Sequence, residues 1–265
     1  RIWSIGGGLP PVSYDGQKWT EYKENWPDVE IWSWAVAEDA NGDIWVGGRE
    51  SNNSGGNGGG LFHLDGKRWE RGLTQAEAGG IETLYLSSDG TFWAGSWGKG
   101  IFKQEKNGSW THAWKSGNVW SFHGASNGQL LAVLRIGGLL QWDGKIWAQH
   151  PSFNATATYN DQTGTGFVEH PEGVYWLATN KGLLRVEADF WYFLTTSDGL
   201  PSNLVNSVTK DSEGNIWAGT KFGAYIVENK KYPHPPAVEI TEIDDTSPSR
   251  NSTYETGRSF VSITW

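Results

Sequence analysis

The chain has 265 residues, with 30 Asp and Glu against 21 Lys and Arg for a net charge of −9, and it contains neither Cys nor Met. The acidic balance argues against nucleic acid as the main partner, because phosphate binding needs a basic face, and the lack of Cys excludes thiolate catalysis, a disulfide scaffold and Cys-based zinc sites. No apolar run approaches the roughly 20 residues of a membrane span, whereas 36 Gly, 18 Trp and only 19% charged residues fit many short strands and tight turns.

Read in order, the sequence returns to one pattern. It opens partway through it, at "RIWSIGGGLPPV" (1 to 12) with the turn "DGQKW" (15 to 19) after it. The second copy runs from the strand "SWAVAED" (33 to 39) through "DANGDIWVGG" (39 to 48), Gly60 with Leu61 and Phe62, and "DGKRW" (65 to 69). Within it, "ESNNSGGNGGG" (50 to 60) is a flexible insertion that cannot pack a core. The third has "ETLYLSS" (82 to 88), "SSDGTFWAGS" (87 to 96), Gly100 with Ile101 and Phe102, and "NGSW" (107 to 110). The fourth has "VWSFHGA" (119 to 125), "ASNGQLLAVL" (125 to 134), Gly138 with Leu139 and Leu140, and "DGKIW" (143 to 147). "TGFVEHP" (165 to 171), "HPEGVYWLAT" (170 to 179), Gly182 with Leu183 and Leu184, and "ADFW" (188 to 191) make the fifth. The sixth comprises "VNSVTKD" (205 to 211), "DSEGNIWAGT" (211 to 220) and "ENKKY" (228 to 232).

Trp3, Trp45, Trp93, Leu131, Trp176 and Trp217 hold the equivalent place, at intervals of 42, 48, 38, 45 and 41 residues. Periods of this size mean a solenoid, a propeller or an array. Asp-Gly and Asn-Gly turns supply the positive φ of tight hairpins, and no repeat contains ten residues of 3.6-residue apolar periodicity. Each unit is therefore a small antiparallel sheet of about four strands, and the fold class is an all-β β-propeller of four-stranded blades with six repeats visible. The Trp of the second strand is expected to wedge against the neighbouring blade. Having no Met and starting mid-repeat, the chain reads as a mature piece of something longer.

The signature "DSEGNIWAGT", preceded by "SDGLPSNLVNSV" (197 to 208), resembles the two-component regulator propeller repeat. The resemblance extends over residues 1 to 232, closest in the last copy, good in "EDANGDIWVGG", and with Leu131 replacing the Trp of the fourth. It implies a ring that usually has seven blades, in the periplasmic sensing region of membrane histidine kinases that control polysaccharide use. Residues 233 to 265 read as a Pro-rich connector (Pro233, Pro235 and Pro236) and the first strands of an incomplete immunoglobulin-like β-sandwich, "AVEITEI" and "FVSITW". They resemble the opening of the three-Tyr domain that follows such propellers. A periplasmic or secreted location follows from the same resemblance, with contact to a membrane only through parts of the parent protein outside this segment.

Two features exceed what the scaffold needs. Ten of the 18 Trp fill repeated strand positions, Trp142 lies in a third strand and Trp265 in the trailing segment, which leaves Trp26, Trp32, Trp34, Trp97, Trp114 and Trp120. Rings such as Trp32, Trp97 and Trp120 on the face where loops emerge would stack on sugar faces; inter-blade packing is the alternative, above all for Trp34 inside a strand. Four residues past the key position stand Arg49, Trp97, Arg135, Asn180 and Lys221, with Lys99 and Lys181 close by. Such a converging set of cations attracts anions, with Glu82 and Asp161 available to neutralise it. The expected ligand is an oligosaccharide, with another small ligand or a protein as the other partners, and neither a cofactor nor a metal is expected. "DANGD" (39 to 43) has carboxylates at calcium-like spacing but lacks the distal Glu of a loop site. A polysaccharide lyase or hydrolase using inner-strand His (His123, His170) and Glu is the enzymatic alternative, and a purely structural propeller is the third reading.

Overall fold

The computed structural model describes residues 2–6, 9–26, 31–50, 60–66, 68–135, 138–150, 166–187, 190–228, 252–256 and 259–263. The first sheet consists of β1 (Ile2–Gly6), β2 (Leu9–Tyr14) and β3 (Trp19–Glu21), and the second of β4 (Ile31–Glu38), β5 (Ile44–Glu50), β6 (Gly60–Leu64) and β7 (Trp69–Leu73). One helical turn, α1 (Gln75–Ala78), leads to β8 (Gly80–Leu86), β9 (Phe92–Trp97), β10 (Gly100–Gln104) and β11 (Trp110–Trp114). The fourth sheet contains β12 (Val119–Gly124), β13 (Leu130–Leu134), β14 (Gly138–Trp142) and β15 (Trp147–Gln149). The fifth contains β16 (Phe167–Glu169), β17 (Val174–Thr179), β18 (Gly182–Glu187) and β19 (Phe190–Leu194). After the short helical turn Thr196–Asp198, β20 (Val205–Lys210), β21 (Ile216–Thr220) and β22 (Gly223–Val227) form the sixth sheet. In every sheet the strands lie in chain order and antiparallel, as a chain of hairpins must. The fourth strand expected at "ENKKY", the connector and "AVEITEI" fall outside the described residues. At the C-terminus, β23 (Ser252–Thr256) pairs with β24 (Ser259–Ile263) as a hairpin, with β23 beside β19.

The chain divides into two compact units, one of Arg1–Gly124, Gly128–Arg135 and Leu140–Ala148 and one of Ala125–Asn127, Ile136–Leu139 and Gln149–Trp265. Within the first unit β4 packs beside β8 and β8 beside β12; within the second, β16 packs beside β20. The core lies between successive sheets. Trp45, Ile81, Phe92 and Ala94 share one buried cluster, Trp93, Val119, Phe122 and Trp147 another, and Trp176, Val205, Val208 and Ala218 a third. Trp93 and Trp176 are almost wholly buried, and Leu131 takes the same buried place where the repeat lost its Trp. The rings meet edge-on, Trp45 against Trp110 at 5.5 Å and Trp93 against Trp147 at 5.4 Å. The expected wedge is thus the packing unit of the fold. Trp217, on the last described sheet, is 39% exposed.

In the second and sixth sheets a turn carboxylate sets the wedge. Asp39 Oδ1 accepts the backbone N–H groups of Asn41 and Asp43, and its Oδ2 accepts the Trp45 indole N–H at 2.9 Å. Asp211 repeats this with Glu213, Asn215 and, at 2.9 Å, the Trp217 indole. Where the Asp is missing, the indole finds another acceptor six residues back: Ser87 Oγ for Trp93 and the His170 carbonyl for Trp176. The turn itself needs Gly at its left-handed position, as at Gly42 and Gly214, both with φ +84°.

Two predictions follow from this packing. Two residues past the key Trp, Gly95 lies so close to β8 of its own sheet and β12 of the next that a Cβ there would stand 2.6 Å from Thr83 and 2.7 Å from Val119. Gly95→Ala should cost about 1–3 kcal/mol of overpacking in denaturant unfolding. Donation from the Trp217 indole, with that from Asn215 and the turn amides, holds the Asp211 carboxyl down to about 2. A depressed carboxyl stabilises the fold above its ordinary value near 3.9 and loses that contribution as pH falls through about 2. Trp217→Phe should raise the Asp211 value in an NMR titration and flatten the dependence of stability on pH between about 4 and 2.

Candidate functional site

The first strands of the sheets carry a shared irregularity. Between β4 and β5 the pairing steps from Ser33 to Ala35, between β8 and β9 from Ile81 to Thr83, between β12 and β13 from Val119 to Ser121, and between β20 and β21 from Val205 to Ser207. The residues that the register skips are Trp34, Glu82, Trp120 and Asn206. A β-bulge of this kind re-aims one side chain out of the alternating pattern, which is why Trp34 is 41% exposed although it lies inside a strand.

In the first unit the bulges stand beside the strand-end residues singled out in the sequence. Trp32 pairs across the ladder with Arg49, and Gly80 with Trp97. Gly80 has no side chain to separate them: a Cβ there would lie 3.3 Å from Trp34, 3.8 Å from Trp97 and 4.0 Å from Arg49. Lys99 approaches the adjoining Gly79 in the same way. The Arg135 backbone N–H donates to the Asn118 carbonyl at 2.8 Å, which fixes the chain where the side chain turns back. Its guanidinium then lies 4.2 Å from the centre of the Trp97 ring and 5.5 Å from that of Trp120. Trp32, Arg49, Trp97, Lys99, Trp120 and Arg135 therefore belong to one stretch of the first unit. Lys181 and Lys221 are exposed residues of the second unit, where the Lys181 N–H bonds Thr179 Oγ1 and Lys221 lies 5.7 Å from the Phe222 ring.

Of the other surplus Trp, Trp26 packs edge-on against Trp69 at 4.7 Å, and Trp114 packs against the cluster around Trp93. The packing alternative thus holds for these two, while Trp32 and Trp34 are exposed. The sequence pointed to Trp32, Trp97 and Trp120, but assigned Trp34 to packing, because a bulge inside a strand leaves no mark in the apolar alternation.

Burial pushes the Glu82 carboxyl up to about 7, against the pull of the nearby Arg135 charge. His123, on β12, accepts or shares a proton with Ser121 Oγ at 2.9 Å, and burial pushes its imidazole down to about 4. His170 follows β16 and is lowered by burial and then by the charge of Lys210. Asp161 lies outside the described residues.

Aromatic and cationic groups are thus gathered on bulges and strand ends of these hairpin sheets. Residues 199–222 match the family described as "Two component regulator propeller", so the chain carries that repeat. No curated protein matches in sequence. In structure the chain is similar to the extracellular domain assigned to the hybrid two component system BT3049 of B. thetaiotaomicron, at 16% identity and a TM-score of 0.57, covering 98% of this chain and 43% of that one. It is also similar to PorZ, a surface component of the type-IX secretion system of Porphyromonas gingivalis, at 15% identity and 0.58, covering 84% and 36%. A streptogramin B lyase aligns at 14% identity and 0.55, covering 86% and 78%. These likenesses establish the β-propeller fold, and the chain spans less than half the length of the first two. No helix among the described residues is long and apolar enough to cross a membrane.

The raised Glu82 carboxyl has a definite sign. Ionising it penalises the folded state, so stability should fall as pH rises from the ordinary Glu value near 4.3 through about 7 and then level off. Glu82→Gln should abolish that slope in denaturant unfolding between pH 4 and 8. Arg135→Gln should move the Glu82 titration further up, since it removes the charge that lowers it.

Proposed function

We propose that the chain is the extracytoplasmic ligand-binding domain of a sensor, that its ligand is an oligosaccharide bearing carboxylate or other anionic groups, and that occupancy is passed to a membrane histidine kinase. The propeller occupies residues 1 to 232, and 233 to 265 begin the domain that follows. The observation that carries the reading is Arg135 lying over Trp97 and Trp120 beside the exposed rings of Trp32 and Trp34. A sugar ring needs a flat apolar partner for its C–H face, and a carboxylate on it needs a fork of donors, which a guanidinium supplies. Stacking on indole engages the face of the guanidinium rather than its N–H edges. The family repeat at 199–222 supports the sensor part of the reading.

The lyase reading calls for a base. His123, lowered to about 4, is neutral at pH 7 but a weak proton acceptor, so binding is the function we carry forward.

Calorimetry against matched neutral and uronate oligosaccharides at two salt concentrations tests the proposal. Arg135→Ala should cost about 1.5–3 kcal/mol of uronate affinity, the range for a hydrogen bond to a charged group, and little stability. Trp97→Ala should weaken both classes, while added salt weakens only the acidic one. Unchanged uronate affinity in Arg135→Ala, or no binding of either class, would sink the proposal and leave a propeller that meets other proteins. Unsaturated product released from uronate polymers would establish the lyase.

A further inference from the structure

The Asp39 turn of the second sheet and the strand beside it differ from their counterparts in the sixth sheet at two positions that matter for ligation. Asn215 occupies the position of Asp43, and its amide donates to Asp211 at 2.9 Å. Ile226 pairs across the ladder with Trp217, where His63 pairs with Trp45. The same backbone therefore carries Asn and Ile in one sheet but Asp and His in the other. The replacement turns a self-satisfied turn into one rich in donor atoms.

The side chains of Asp39, Asp43 and His63 each present an atom within 4.8 Å of the others. The His63 ring lies flat on the Trp45 indole, with centroids 4.2 Å apart and planes 20° from parallel, which fixes its orientation. Its Nε2 is shielded from solvent and makes no hydrogen bond, although Asp43 Oδ2 is 3.2 Å away. Two donors held at about 2.1 Å from one tetrahedral metal stand about 3.4 Å apart, close to the 3.2 Å between His63 Nε2 and Asp43 Oδ2. Asp39 Oδ1 takes two backbone N–H groups and Oδ2 one indole N–H, so Oδ2 keeps a lone pair for a further partner. All three residues line an open groove of about 890 Å³ that also holds Asp89 and Glu105, so an ion can reach them.

We propose that Asp39, Asp43 and His63 form a divalent transition-metal site on the second sheet, with imidazole nitrogen and two carboxylate oxygens as protein ligands. An imidazole among the donors selects zinc or nickel over calcium, which takes oxygen alone. The site joins the turn before β5 to β6 and stands apart from the aromatic and cationic face, so it does not depend on the oligosaccharide reading. Three protein ligands leave at least one coordination position open.

The test uses untagged protein, titrated by calorimetry with Zn²⁺, Ni²⁺ and Ca²⁺, with thermal unfolding followed in parallel. One equivalent of Zn²⁺ should bind and raise the unfolding temperature, since an ion that binds only the folded state stabilises it. Asp43→Asn and His63→Ile install the residues that the last sheet already tolerates, so both variants should fold. Each should weaken Zn²⁺ binding at least tenfold and abolish the thermal shift. Zn²⁺ binding unaltered in both variants, no binding by the parent protein, or equal affinity for Ca²⁺ would overturn the proposal and leave His63 and Asp43 as an ion pair.

Discussion

The structure depends on one interaction, the hydrogen bond from an indole N–H to an acceptor six residues earlier in the chain. A single small hairpin sheet cannot bury its own faces, so it is stable only against neighbours. The wedge that joins neighbours must be large and must point one way, and Trp offers both at the cost of a buried N–H that needs a partner. In the second and sixth sheets the turn carboxylate provides it while capping the turn. The turn and the interface are thereby coupled. Ser87 and the His170 carbonyl show that the acceptor is the requirement and the Asp only its commonest form. Leu131 shows the limit of the rule: it keeps the apolar volume, and with no N–H it needs no acceptor.

The bulge in the first strand is the second recurring device. It gives the strand extra twist, and in the second, third, fourth and sixth sheets it frees one side chain from the alternation that the core imposes on the rest. Scaffold and site are separated at that residue. The paired positions on either side are held by packing, as Ile81 and Val119 are, both fully buried. The bulged position can change from Trp34 to Glu82 to Trp120 without disturbing them. The strand ends that follow the key residue have the same freedom, which is how Arg49, Trp97 and Arg135 came to stand at one repeat position with different chemistry.

Repetition made the fold legible before any coordinates. Periodicity located the hairpins, the Asp-Gly turns located their tips, and the first strands read from the sequence differ from β4, β8, β12, β16 and β20 by at most two residues at either end. Departure from repetition made part of the site legible as well, since Trp97, Trp120 and Arg135 were visible as surplus to the pattern. Trp34 was not, because its exposure depends on a one-residue slip in pairing that no composition reports. His63 was not either. It lies twenty residues beyond Asp43 across an insertion, and only the ladder that sets Trp45 against His63 brings them together. Sequence spacing had considered "DANGD" alone and found no third ligand, since the third comes from the neighbouring strand.

Arg135 shows how the aromatic and cationic surpluses become one feature. In an acidic chain an exposed Arg is surrounded by solvent and mobile, and its charge attracts weakly. Against indole faces it loses that freedom before a ligand arrives, so less ordering remains to be done on binding. The same contact orders Trp97 and leaves its other parts exposed for stacking. Glu82 then tempers the pair: ionised, it offsets part of the Arg135 charge, and protonated, it withdraws that offset, with the balance near neutral pH. If an anion binds at Arg135 as proposed, its affinity is linked to the protonation of a carboxyl on the neighbouring sheet, and the bound carboxylate must raise the Glu82 value further, since linkage is reciprocal.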